Sequence, residues 1–256
     1  MKHQVKNINI FALVNSASDP LTQIATTRTT EEIFFIKRLL DAMFETHNTR
    51  GREVMAITSM KALKLVKGGG RQSVGVDEEG SQTVDRGLTK DEAERTLKAL
   101  EDEGWFERSR EGYYTLSPRA LMELRTWLVD TYNDAEDPEG WQPIKFCEAC
   151  KGIVTIGQRC TERTCNVRLH DICETAYWNS RRNKKCPKCK TEWHGKSYVG
   201  QKAETSTDDY LKGKRRSGVG GSRSQANEEV EEEEEEVEEE GEGGGGDDVD
   251  EDDDDE

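Results

Sequence analysis

Seven cysteines and one histidine fall within residues 147–189, and their spacing is that of metal ligands. The string reads Cys147-x2-Cys150-x9-Cys160-x4-Cys165-x4-His170-x2-Cys173-x12-Cys186-x2-Cys189. A CxxC or HxxC step places two donors on one tight turn facing the same ion, and Zn2+ takes four such ligands in a tetrahedron. Eight ligands fill two closed sites and leave no open position for water. We therefore expect two structural Zn2+ ions without catalytic chemistry.

Reduced buried cysteines or disulfides are the alternatives to metal binding. An odd cysteine count and the absence of an export signal argue against a secreted disulfide scaffold. A segment of about fifty residues builds little core of its own, so metal binding would supply its folding energy. The other histidines, His3, His47 and His194, are expected to be ordinary surface residues.

The charge of the chain is concentrated at one end. Charged residues make up 35% and apolar residues 32%, with a net charge of −16. Residues 228–256 hold 21 acidic and no basic residues, which leaves 37 basic and 32 acidic residues in the rest of the chain. We expect a disordered tail over residues 200–256, first basic and then acidic, with a nuclear-localisation-like run at Lys212–Arg216. The acidic part either solubilises the chain or binds basic partners. No apolar run reaches the roughly 18–20 residues of a membrane span.

Residues 21–135 read as a winged-helix domain. The pattern predicts one helix from an N-cap at Thr30 to about residue 46, a second over residues 52–67, and a mobile loop over residues 68–87. Thr89 opens a third helix through a capping box with Glu92. A short hairpin around Glu111-Gly112 and a last helix after Ser117-Pro118 complete the order. The third helix is net negative, which favours protein binding over DNA readout.

The ligand order is shared by PHD fingers and RING variants, so other residues decide between them. PHD fingers usually carry Trp two positions before the seventh ligand, where this chain has Lys184. Trp178 lies instead between the sixth and seventh ligands, with Tyr177 beside it, and Pro187 follows the seventh ligand. These features favour a RING-type module over residues 143–195.

The stretches Cys147-Glu148-Ala149-Cys150, Gly157-Gln158-Arg159-Cys160, Arg168-Leu169-His170 and Cys186-Pro187-Lys188-Cys189, followed by Trp193, resemble the variant RING of the non-SMC element 1 family. That family belongs to the SMC five/six genome-maintenance complex. Residues 11–26 resemble the family's join between two winged helices, and residues 105–132 resemble the wing and last helix of the second. The resemblance covers residues 9–195. Family members carry a full first winged helix before Val14-Asn15, whereas residues 1–20 are expected to be only its last strand.

The resemblance implies an α+β protein in which a winged helix precedes a cross-brace zinc domain and a disordered tail. It implies that Cys147, Cys150, His170 and Cys173 hold one Zn2+, and that Cys160, Cys165, Cys186 and Cys189 hold the other. It implies a nuclear subunit that pairs with MAGE-like and kleisin subunits and acts in DNA repair. It also implies RING-type ubiquitin ligase activity aided by the MAGE-like partner, with DNA or chromatin contact through the complex and no membrane.

A RING ligase has no catalytic nucleophile and works by holding a ubiquitin-charged conjugating enzyme in a reactive geometry. We expect Ile153, Trp178 and Pro187 to dock that enzyme and Lys190 to clamp ubiquitin. Trp178 could equally pack in the core between the zinc loops. The alternatives are a non-catalytic, zinc-stabilised interaction subunit of the same complex, or a PHD-like histone reader.

Overall fold

The computed structural model describes residues 3–6, 8–11, 28–67, 74–76, 82–84, 86–181 and 183–217. Met1–Thr207 form one compact unit, and Asp208–Glu256 form a second. The predicted join between winged helices falls largely in residues 12–27, and the acidic tail in residues 218–256, which both lie outside the described residues. No helix in the described part of the chain is long and apolar enough to cross a membrane.

The N-terminal half of the first unit has the element order of a winged helix. Its elements are α1 (Thr30–Asp41, continued by a π-helical turn over Ala42–Thr46), β1 (Ile57–Thr58), α2 (Ser59–Lys64), β2 (Val74–Val76), β3 (Gln82–Val84), α3 (Lys90–Asp102), β4 (Phe106–Arg108), β5 (Tyr113–Leu116), α4 (Pro118–Glu123) and α5 (Arg125–Tyr132). Strands β1, β5 and β4 form an antiparallel sheet in that order, with Ile57 opposite Tyr114 and Phe106 opposite Leu116. The mixed helix and sheet content confirms the α+β class.

Side-chain caps set the helix starts. Thr29 and Thr89 each accept a hydrogen bond from the backbone of a glutamate three residues on, whose carboxylate bonds back to the cap backbone. These capping boxes satisfy backbone N–H groups that a helix start leaves unpaired. The box at Thr89 was predicted, whereas the first cap lies at Thr29 rather than Thr30. Gly104 ends α3 with φ +75°, a left-handed conformation that suits glycine.

Three predicted elements differ from the structure. The predicted helix over residues 52–67 is wrong in its first half: residues 53–56 are not helical, with Met55 in a left-handed conformation at φ 43°, and α2 begins only after the Thr58 cap. Residues 53–57 are buried on both faces and therefore show no helical period. The last helix is two helices, because the backbone at Leu124 leaves helical geometry. Within the predicted loop 68–87, β2 and β3 pair antiparallel.

The zinc-ligand region contributes β6 (Gly157–Arg159), β7 (Arg168–Leu169), α6 (Asp171–Asn179), β8 (Tyr198–Val199) and α7 (Lys202–Thr205). β6 is the central strand, with β7 on one side and β8 on the other, both antiparallel. One continuous cluster of buried apolar residues runs from Phe35 through Leu128 to Val199. The winged helix and the zinc-ligand region therefore share a core.

The segment before residue 12 and the segment after residue 200 also differ from expectation. Gln4 is buried and bonds to Thr155, with its Nε2 donating to Oγ1 at 2.9 Å. His3 is buried rather than on the surface. Disorder from residue 200 is wrong for the described residues, because α7 and α8 (Asp208–Ser217) are helical. α8 has two aspartates in its first turn, which interact favourably with the helix dipole.

Candidate metal centre

The first ligand cluster joins two segments that are twenty residues apart in sequence. The ligand atoms of Cys147, Cys150, His170 and Cys173 all lie within 4.8 Å of one another. The Sγ of Cys150 is 3.3 Å from Nδ1 of His170, and that of Cys173 is 3.9 Å away. Tetrahedral Zn2+ with bonds of about 2.0–2.3 Å needs ligand separations of this order.

The other ring nitrogen of His170 fixes its orientation. Nε2 lies 3.0 Å from the carbonyl oxygen of Ile153. A carbonyl only accepts, so Nε2 carries the proton and donates, which leaves Nδ1 unprotonated and facing the three thiols. A metal-ligating histidine is held in the same way by a partner on its second nitrogen. His170 is fully buried, so this tautomer is held by packing as well.

The second ligand cluster consists of four cysteines. The Sγ atoms of Cys160, Cys165, Cys186 and Cys189 lie within 4.8 Å of one another. The Cys160–Cys189 separation is 3.4 Å and the Cys165–Cys186 separation is 3.6 Å. The two clusters alternate along the chain, since the second takes its first pair from between the two pairs of the first. This interleaving is the cross-brace arrangement that the resemblance implied.

Two CxxC turns have the same backbone geometry. The residues after the second cysteine, Lys151 and Lys190, have φ of 58° and 63°. In each turn the N–H of the first cysteine donates to the carbonyl five residues on, at 2.8 Å, and the lysine N–H donates back to that cysteine's carbonyl. A left-handed conformation costs a lysine about 1 kcal/mol or more. Because the same strained turn occurs in both CxxC segments, we infer that each turn is kept to hold its two sulfur atoms in position for a metal ion.

The acid–base properties of the thiols suit a cation in each cluster. Burial and neighbouring thiols raise the pKa of Cys173 to about 12 and that of Cys165 to about 11. Clustered thiols resist joint ionisation because their charges repel. A divalent cation removes that repulsion, so the donor set fits Zn2+.

A buried ion cluster connects the winged helix to the zinc-ligand region. Glu53 and Arg168 are both fully buried, and Arg168 donates Nε to Oε2 at 2.7 Å and Nη2 to Oε1 at 2.5 Å. Nζ of Lys145 and Nη1 of Arg159 lie 3.2 and 3.6 Å from the same carboxylate. Trp141 also donates Nε1 to Oε1, at 3.4 Å. Although burial opposes ionisation, Arg168 and the other cations hold the pKa of Glu53 at about 2.

Arg168 also connects this ion cluster to the ligands. Its Nη1 donates to the carbonyls of Cys165 and Val167 at 2.6 and 2.7 Å. The backbone of Glu53 pairs with Val199, and its carbonyl accepts from the N–H of Gly200. The sequence analysis missed Glu53 and Arg168. The available signal was a charged residue within the otherwise apolar run from Val167 to Leu169.

The four predicted docking residues occupy different environments. Ile153 and Trp178 are only 2% and 4% exposed. The Trp178 ring packs against the rings of Tyr177 and Trp193, with centroids 5.0 and 5.5 Å away. Pro187 is half-buried and Lys190 is exposed, with its Nζ donating to the Pro187 carbonyl at 2.8 Å. Trp178 is therefore packed in the core, which was the alternative to a docking role. Of the four docking candidates, only Pro187 and Lys190 are accessible to a partner.

Two protein-family models match this chain, one in its N-terminal half and one in the zinc-ligand region. Residues 1–124 match the protein-family model described as Nse1 non-SMC component of the SMC5-6 complex. Residues 147–189 match the RING-like domain family.

Curated relatives give the same result over a longer span. The non-structural maintenance of chromosomes element 1 homologs of Pongo abelii and Homo sapiens are each 27% identical over 184 residues, which is 72% of this chain and 58% of each relative. The Schizosaccharomyces pombe protein is 24% identical over 73% of this chain and 65% of its own length. The chain thus spans a little over half the length of the mammalian relatives. A chain of the solved Nse1-Nse3-Nse4 complex has the same fold, with a TM-score of 0.53 and 24% identity, over 76% of this chain and 70% of that chain.

Proposed function

We propose that the chain belongs to the family of Nse1 non-SMC components of the SMC5-6 complex, and that its RING-like domain acts as a RING-type ubiquitin ligase within that complex. We propose that it binds two Zn2+ ions through its eight ligands, lies in the nucleus, and serves DNA repair and chromosome maintenance. Its partners are a MAGE-like subunit, a kleisin subunit and a ubiquitin-conjugating enzyme.

The interleaved ligand clusters are the observation on which the ligase proposal rests. Each cluster has four donors and leaves no position for substrate, so Zn2+ serves as a scaffold and supplies no reaction step. The chain's own contribution is to hold a charged conjugating enzyme so that its thioester meets the acceptor lysine. The repeated turns at Lys151 and Lys190 present two loops of fixed shape for that purpose.

The docking surface would be formed by the exposed side of the second turn. Pro187 offers an apolar contact, and Lys190 offers an ammonium that could swing from the Pro187 carbonyl to a ubiquitin carbonyl. An ammonium lacks the rigid fork of arginine, so this clamp is weak, and we expect low activity without a partner. Ile153 and Trp178 would act indirectly, by holding His170 and the inter-ligand helix α6 in place.

Exposed apolar residues near the N-terminus support assembly with partner subunits. Val5, Ile8 and Phe11 are 59%, 52% and 90% exposed. Exposed apolar side chains that lie close together can form a contact surface for another protein. The solved complex of similar fold contains Nse1, Nse3 and Nse4 by its title. We propose that the MAGE-like and kleisin subunits of this chain's own complex cover such surfaces.

A non-catalytic interaction subunit is the second candidate. Burial of Ile153 and Trp178 favours it, because these residues have little surface to offer a conjugating enzyme. A concave surface of about 650 Å³ between α5 and the first CxxC turn, with Val129, Ile144 and Phe146 in its wall, could accept a partner segment instead. A histone reader has no comparable support, since Lys184 is an exposed lysine where a reader would carry an aromatic wall.

Discharge of ubiquitin from a charged conjugating enzyme onto free lysine tests the proposal. The full chain is assayed with and without its MAGE-like partner, beside Lys190→Ala and Lys151→Ala. The two lysines have the same left-handed backbone, so the two variants are matched in strain. We expect partner-stimulated discharge that Lys190→Ala reduces several-fold and Lys151→Ala preserves. No discharge across a broad panel of conjugating enzymes, with zinc and partner bound, would favour the interaction subunit.

A further inference from the structure

A polar cavity of about 400 Å³ lies beside the second ligand cluster, and cations from four segments converge on it. Arg52 comes from the loop before β1, Arg159 from the end of β6, and Arg163 from the loop between Cys160 and Cys165. Lys196 comes from the loop before β8. None of the described residues that line the cavity is acidic. Four separate segments thus bring positive charge to one concave surface.

These cations have few protein partners. Arg52, Arg163 and Lys196 are exposed, and none of them forms an ion pair within the described part of the chain. Arg159 differs from these three: its side chain is 6% exposed and its Nη1 lies 3.6 Å from the Glu53 carboxylate, so it belongs also to the buried ion cluster. It therefore adds positive charge to the cavity wall, while the three exposed cations are available to a ligand.

The chemistry of the wall indicates what kind of anion would fit. Thr161, Ser197 and Ser206 line the same cavity and can donate hydroxyl hydrogen bonds. A phosphomonoester carries a charge of about −1.5 to −2 at pH 7 and three strong acceptor oxygens. Guanidinium groups match phosphate oxygens in geometry as well as in charge.

We propose that this cavity binds a phosphomonoester dianion, borne either by a small molecule or by a phosphorylated serine or threonine side chain. The volume is at the lower end of the range for small-ligand sites, which suits one phosphoryl group. Duplex DNA offers singly charged phosphates spaced along an axis, and it needs an extended basic surface rather than a closed concavity. The site is separate from the Lys190 surface, so it stands independently of ligase activity.

Isothermal titration calorimetry on the full, zinc-loaded chain tests this inference at about 0.15 M salt, where long-range surface electrostatics are screened. The probes are inorganic phosphate, a short phosphoserine peptide and the same peptide unphosphorylated. We expect phosphate-dependent binding that Arg163→Ala combined with Lys196→Ala weakens at least tenfold. Arg52→Ala should weaken it in the same direction. Tighter binding of the phosphopeptide than of phosphate identifies a side-chain source, and equal binding identifies the free anion.

Lys184→Ala combined with Lys185→Ala is the matched control, because it removes two exposed cations from the loop before Cys186. It should leave the affinity unchanged, and the thermal transitions of all variants should match that of the parent chain. The inference is overturned if neither phosphorylated probe binds at millimolar concentration, or if the control weakens binding equally. It is also overturned if a DNA duplex depends on Arg163 and Lys196 more strongly than the phosphorylated probes do.

Discussion

Glu53→Gln removes one charge from the buried ion cluster while keeping the side chain's volume, and it should destabilise the whole first unit. Arg168 would then face a neutral amide, and Lys145 and Arg159 would lose their shared counter-ion. Breaking a buried ion pair by removing one partner costs about 3–5 kcal/mol. The pKa of Glu53 gives a similar figure, because its fall from 4.5 to about 2 corresponds to about 3 kcal/mol at 1.36 kcal/mol per pH unit.

This cost should appear as a lower thermal transition. For a unit of this size, 1 kcal/mol moves Tm by about 2–4 °C, so we expect Glu53→Gln to lower it by roughly 6–20 °C. Differential scanning calorimetry on zinc-loaded protein measures the shift. Asp102→Asn, which breaks an exposed pair with Lys98, is the control and should leave Tm nearly unchanged. If the two variants had the same Tm, the claim that Glu53 holds the two halves together would be refuted.

The pH dependence of the same variant follows from the sign of the shift. The folded-state pKa of Glu53 lies below the unfolded value, so its stabilisation is fully present above about pH 4.5 and is lost as pH falls towards 2. Lys145 lies in the same cluster and burial lowers its pKa to about 7, so the Glu53 effect is measured below that titration. The stability difference between the parent chain and Glu53→Gln should shrink as pH falls from 4.5 towards 2, and a difference that grew within that window would contradict the assigned charge state of Glu53.

Further changes probe the ligands, the core and the caps. His170→Ala should lower the zinc content of the chain, whereas His170→Cys should retain both ions because a thiolate replaces Nδ1; equal zinc contents would argue against His170 as a ligand. Trp178→Ala should cost about 3–5 kcal/mol in urea unfolding, as loss of a buried aromatic does, while Pro187→Ala should cost far less. A small effect at Trp178 would place that ring outside the core. Thr89→Ala should cost about 1 kcal/mol through loss of the cap of α3, and an unchanged urea midpoint would contradict that role.

The sequence correctly predicted the structural features that are formed by residues close together in the chain. The capping box at Thr89, the turn at Gly112 and the eight-ligand string each involve residues close in sequence, and each lies where the pattern predicted it. The segment of residues 53–56 before β1 was predicted as helix, because it is buried throughout and so lacks the alternation of apolar and polar residues that marks a half-buried strand. The break at Leu124 left no sequence signal, since neither glycine nor proline occurs there.

The features that the sequence did not predict depend on contacts between residues far apart in the chain. Glu53 and Arg168 are separated by 115 positions, and each is an ordinary charged residue in a chain that is 35% charged. Only the fold shows that they meet in a dry interior. Likewise, the docking role expected of Trp178 depended on its exposure, and the contact of its ring with Trp193, fifteen residues on, buries it. Residue types gave the chemistry of the zinc region, and packing decided which side chains remain accessible.

Zinc stoichiometry by native mass spectrometry tests the central claim most directly, because the fold and the proposed function both depend on two filled tetrahedral sites. We expect two Zn2+ per chain, no disulfide, and loss of the cooperative thermal transition when a chelator removes the metal. A chain that carried fewer than two ions and kept the same transition and circular dichroism after chelation would contradict it.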